Sequence, residues 1–187
     1  MQRRTLPLAL AGAALIPAMA RAQQGIDMRA PGPGATPSAA TPPANLAGQP
    51  PERLAMMTHE AGHFSLVTAR LGMEKATNPD LKRFANFEVR EQEGVAQAMK
   101  LAGHNFPDPS FTGEKAQVMN RLNAANGEAF DRMFIQVQEQ GHQELLNLTT
   151  AIAESANAPV PDKITALLAS DRIREHLIDL GMLQGRR

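Results

Sequence analysis

The chain has 187 residues, 43% hydrophobic and 20% charged, with 19 Lys and Arg against 19 Asp and Glu, enough for one domain with a core of ordinary size. Zero net charge, with no Lys/Arg cluster beyond Arg186 and Arg187, leaves no electrostatic footprint for a nucleic-acid partner. The absence of Cys, Trp and Tyr excludes disulfides, thiolate metal sites, a Cys nucleophile and an aromatic platform for stacking bases or sugars.

Met1 to Ala22 has the pattern of a secretory signal. Arg3 and Arg4 form the charged start, Leu6 to Ala20 the apolar run, and Ala20-Arg21-Ala22 a small-x-small cleavage site. Pro7 and Pro17 and the shortness of the run argue against a membrane span, which needs about 20 apolar residues. The Arg3-Arg4-Thr5-Leu6 start also loosely fits the twin-arginine export route, so the expected compartment is the periplasm or cell envelope, by that route or by Sec. Removing Arg3, Arg4 and Arg21 from 19 basic residues leaves 16 against 19 acidic ones, a mildly acidic mature chain. Residues 23–50 turn to Pro, Gly, Ala, Thr and Ser, a composition that cannot bury a core and predicts a disordered tether.

Helical segments follow. The first is expected over Pro51 to Ala76 and stops at Thr77-Asn78-Pro79, where Asn78 caps the second helix and Pro79 enters its first turn. The second runs to about Ala102 and ends at Gly103; a short helix spans about Gly113 to Ala125; the third long helix runs from Glu128 to about Ala156. Asn157-Ala158-Pro159-Val160-Pro161 breaks it, and the fourth long helix runs from Asp162 to about Met182. No segment reads as a strand, so the predicted fold is all-α, an up-down-up-down four-helix bundle in residues 51–187.

Apolar spacing gives helix one a stripe of Leu54, Met57, Ala61, Phe64 and Leu71, and helix three one of Phe130, Phe134, Val137, Leu145, Leu148 and Ile152. Helix two carries Glu88, Glu91 and Gln92 in or beside its stripe of Leu81, Phe84, Val95, Met99 and Ala102. Helix four is read with a stripe of Ile164, Leu167, Leu168, Ile178 and Met182 that contains Asp171 and Glu175. Carboxylates on a core face are costly unless paired, protonated or bound to metal. Glu88, Glu91, Asp171 and Glu175, with His142 or His176 as nitrogen donors, are therefore the candidate ligands of an Fe or Mn site. Inward Glu and Glu-x-x-His groups build such sites in di-iron helical proteins. Glu60 to His63 and Glu139 to His142 both match Glu-x-x-His, but Glu139 lies nearly opposite the helix-three stripe. The competing reading is a wet seam of carboxylates paired with Arg70, Arg90, Arg132 or Arg174.

His59-Glu60-Ala61-Gly62-His63 also matches His-Glu-x-x-His, the zinc-protease motif. Its face is turned away from the apolar stripe, and no third ligand is evident. His104, near a helix C-terminus, reads as structural, and the scattered Met residues read as core filling.

Residues 71–85 (Leu71-Gly72-Met73-Glu74-Lys75-Ala76-Thr77-Asn78-Pro79-Asp80-Leu81-Lys82-Arg83-Phe84-Ala85), Phe130-Asp131-Arg132-Met133-Phe134 with His142 beyond it, and Arg174-Glu175-His176-Leu177 resemble the domain-of-unknown-function 4142 family over about residues 54–182. The resemblance implies an exported bacterial ferritin-like four-helix domain, often given an outer-membrane label, with no established activity. Carried over by position, the family's usual histidines fall at Gln92, His142 and His176, and a commonly acidic position in helix one falls at Ser65.

The expectation drawn from the sequence is an exported, non-enzymatic helical protein with a protein or envelope partner. The alternatives are an Fe/Mn carboxylate site with an oxidoreductase or storage role, and a zinc protease.

Overall fold

The computed structural model describes residues 44–185, which form five helices and no strand. They are α1 (Pro51–Lys75), α2 (Pro79–Leu101), α3 (Gly113–Ala124), α4 (Gly127–Glu154) and α5 (Val160–Gly185). The all-α expectation and the order of four long helices with one short one are borne out. The signal reading of residues 1–22 and the first part of the tether lie outside the described residues. The end of the tether carries a turn, and Leu46 is buried in the core cluster with Leu54, Leu145 and Ile173. No described helix is long and apolar enough to cross a membrane.

Local chemistry sets the helix ends. The Asn78 side chain accepts from the Asp80 backbone N–H at 2.9 Å, with Pro79 following in the first turn. The three-residue link before α2 is pinned to α4 by Asp131, whose carboxylate accepts from Thr77 N, Thr77 Oγ1 and Asn78 N at 2.9, 2.7 and 3.2 Å. Asp131 thereby sets how α1 and α2 meet α4. At the other end of α2, Gly103 takes φ +101°, and the bonds Gly103 N→Lys100 O and His104 N→Met99 O close the turn. A side chain at that φ is strained, so glycine fits there.

α1 packs on α2 and α4, and α4 packs on α5. One half of the core gathers Phe64, Phe84, Phe130 and Phe134 with Leu81, Ile135 and Leu180. Each such side chain contributes on the order of 1.5–3 kcal/mol by leaving water. Gly72 lets α1 approach this cluster, because a Cβ there would lie 2.5 Å from the Phe134 ring. The other half gathers Leu54, Ala61, Leu145, Leu148 and Ile152 around Ala166 and Ile173.

The orientation of α5 corrects the sequence reading. Ile164, Leu167, Leu168, Ile178 and Met182 are between 46% and 71% exposed. The buried face is Asp162, Ala166, Ser170, Ile173, His176, Leu180 and Leu183. Apolar residues are distributed around this helix, so counting them favoured the larger side chains over the face that packs. Small Ala166 and Ser170 let α5 sit against α4, where Ser170 Oγ donates to Thr149 Oγ1 at 2.8 Å. Asp171 and Glu175 turn outward with the exposed stripe.

α2 and α5 meet only over a limited stretch. Between them, above α1 and α4, lies an open cleft of about 1110 Å³ walled by Leu66, Val95, Met99, Leu145, Leu168 and Ile173. Glu88, Glu91, His142 and His176 also line it.

Candidate metal centre

The site is a polar layer across the middle of the long helices, with Ser65 from α1, Glu88 and Gln92 from α2, Gln138 and His142 from α4, and His176 from α5. Glu88 and His142 are each 1% exposed. Glu88 Oε2 lies 3.2 Å from His142 Nε2 and 3.0 Å from His176 Nδ1, and the two nitrogens are 3.0 Å apart. Among the described residues these three side chains form the group whose donor atoms converge closely enough to hold a metal ion. Donors bound at ~2.1 Å to a common ion stand roughly 3.0–3.4 Å apart in octahedral or tetrahedral arrangements. The observed spacing fits that requirement without rearrangement.

The outer atoms of both rings are also held. His142 Nδ1 is 2.7 Å from the Gln138 carbonyl oxygen. A carbonyl only accepts, so Nδ1 carries the hydrogen and Nε2 is turned inward. His176 directs Nδ1 inward, and Nε2 lies 2.8 Å from Glu91 Oε2, an oxygen that is buried with no other partner. Imidazoles whose outer nitrogens are fixed by a carbonyl and a carboxylate are the usual support of metal-ligating histidine. Glu91 is tied onward through Oε1 to Arg172 Nε at 2.7 Å, and Arg172 pairs with Glu175 at the surface.

The second Glu88 oxygen is occupied. Ser65 Oγ donates to Oε1 at 2.7 Å and Gln92 Nε2 donates to it at 2.9 Å. Behind Ser65, the Gln138 amide donates to Thr68 Oγ1 at 2.8 Å, which closes a neutral network.

With no ion, two ring nitrogens and a carboxylate oxygen confront one another, which requires at least one proton among them. Burial alone would lower the His176 pKa, but the hydrogen bonds and negative charge of Glu88 and Glu91 raise it from 6.5 to about 9. Burial alone would raise the Glu88 pKa, yet the charge and hydrogen bond of His142, with bonds from His176 and Ser65, hold it well below the usual carboxylate range. The ion-free centre is thus a buried ion pair at neutral pH.

The structure brings Glu88, His142 and His176 together, with Glu91 behind His176. It leaves Asp171 and Glu175 exposed at the rim of the cleft, so neither joins the centre. Ser65 and Gln92, where the family resemblance expected an acid and a histidine, both touch Glu88.

The His-Glu-x-x-His segment sits elsewhere. His59 Nε2 is 3.2 Å from the Pro107 carbonyl oxygen and its ring stands against Phe106. His63 Nδ1 is 3.6 Å from Asp108, Glu60 is exposed, and no third ligand joins the pair among the described residues. These histidines hold the connection between α2 and α3 onto α1. His104 completes the clasp, with Nε2 3.0 Å from Asp162 and Nδ1 3.4 Å from Glu52.

Helical packing around a buried carboxylate and two imidazoles defines the chain as a helical domain with a candidate metal centre. The chain belongs to the family described as Domain of unknown function (DUF4142), whose profile matches residues 35–177. No curated protein and no solved structure shows significant similarity to it.

Proposed function

We propose that this protein binds a divalent first-row transition metal, Fe(II) or Mn(II) by preference, at Glu88, His142 and His176 within a ferritin-like helical domain exported to the cell envelope. One observation carries the reading. Three donors from three helices converge at 3.0–3.2 Å, while the outer nitrogens of both rings face acceptors. Two imidazoles and one carboxylate with further positions open are the donor set of non-haem iron centres. Such an ion, when bound, supplies Lewis-acid or one-electron redox chemistry beside the cleft. Glu88 provides the anionic donor, His142 and His176 the neutral ones, and Gln138 and Glu91 orient the rings.

The test is elemental analysis of protein purified without an affinity tag, beside a His176→Ala control. Bound Fe or Mn that disappears in the control supports the reading. Absence of metal in the wild type, even after reconstitution with Fe(II) or Mn(II), refutes it.

A second role, as a docking surface for a protein or envelope partner, is favoured by the exposed apolar stripe of α5 from Ile164 to Met182. Stripes of this kind in proteins free in water commonly mark contact surfaces.

A further inference from the structure

Resting on the metal reading, we infer that the centre is built for one ion and that Ser65 and Gln92 set that number. Two-ion centres hold their metals ~3.5–4 Å apart and place an oxygen on each. Glu88 is the carboxylate at the middle of this layer, so bridging would require Oε2 on one ion and Oε1 on the other. Oε1 instead receives the Ser65 hydroxyl at 2.7 Å and the Gln92 amide at 2.9 Å. Both groups present hydrogens toward the oxygen, which repels a cation at the same place.

The surroundings of Oε1 offer a second ion no further negative charge. Ser65, Thr68, Gln92 and Gln138 are neutral, and a divalent ion there would face one half-share of a carboxylate charge. Glu91 stands on the far side of the His176 ring, held by Arg172. His59 and His63 are engaged by Pro107 and Asp108, and Asp171 and Glu175 face outward. Glu88 is therefore a one-oxygen ligand whose other oxygen is locked by hydrogen bonds, which also keeps the carboxylate from rotating. The consequence is a single-ion centre with positions open for an outside ligand. Two-ion chemistry of the di-iron type is closed to it.

The experiment counts ions per chain in Mn(II)-reconstituted protein and records its electron paramagnetic resonance. Wild type should hold about one Mn(II) with the six-line signal of an isolated ion. Gln92→Glu is isosteric and replaces the donor on Oε1 by a second carboxylate, so it should bind about two Mn(II) with a spin-coupled signal. Two coupled ions in wild type would overturn the inference while leaving the metal reading intact. No bound ion in wild type would remove the metal reading and the inference with it. A Gln92→Glu protein that still binds one ion would show that Gln92 does not set the number. If that variant does not fold, the wild-type count and signal still decide whether the centre holds one ion.

Discussion

Replacing Glu88 by Gln is expected to weaken metal binding by at least two orders of magnitude while keeping the volume of the side chain. Changes to groups that only support a ligand typically cost 10- to 100-fold in affinity. Glu88 is expected to cost more, because it supplies the one negative charge among the three donors. The amide retains an oxygen in place of Oε2, but no longer offsets the dehydration of a divalent ion in a position 1% exposed. The ion-free protein also suffers, since His176 loses one of its two carboxylates, the more deeply buried one. Breaking a buried ion pair costs about 3–5 kcal/mol when the remaining charge stays. Here the imidazole can shed its proton, so the loss is expected nearer the lower end. Titration calorimetry with Mn(II) and thermal melting of the metal-free variant check the two effects separately. Wild-type affinity in Glu88→Gln would remove Glu88 from the ligand set.

The second large effect is a pH dependence whose sign reverses when metal is added. In the ion-free protein the His176 pKa rises from 6.5 to about 9. Its contribution is therefore complete below pH 6.5, declines as pH rises, and is gone above about 9. The amount is about 2–3 kcal/mol after allowance for solvent screening. Glu88, held below its ordinary 4.5, describes the same ion pair from the acid side, and its contribution is lost as pH falls below the carboxylate range. The two windows belong to one interaction and do not add. Metal binding requires a neutral His176, so each ion bound between pH 6.5 and 9 should release at least one proton, and affinity should rise at least about tenfold per pH unit. The metal-free melting temperature should fall from pH 6.5 to 9, while the gain on adding Mn(II) grows over the same interval. Parallel pH profiles with and without metal would contradict the assignment of His176 as a ligand.

Much of the layer was legible in the sequence. Glu88 and Glu91 interrupt an otherwise apolar face of α2, and His142 and His176 stood beside them as the candidate nitrogen donors. α5 was misread because its packing face is made of Ala166, Ser170 and His176, which carry little hydrophobic signal, while its larger apolar residues face out. That error carried Asp171 and Glu175 into the candidate site and left His176 off the inward stripe, although it was kept as a possible nitrogen donor. Gln138 carried no sequence signal, because it acts through its backbone carbonyl on His142 and its amide on Thr68. The His-Glu-x-x-His match had a plain sequence signal and a different use. Its rings hold the loop around Phe106 and Asp108, a long-range contact that local spacing does not encode.

The most direct test of the metal centre is a crystal structure of the protein grown with Mn(II), with an anomalous difference map. The account predicts a single peak among Glu88 Oε2, His142 Nε2 and His176 Nδ1, within ~2.0–2.3 Å of each. A peak at His59 and His63, or none at the layer in metal-loaded crystals, would contradict it.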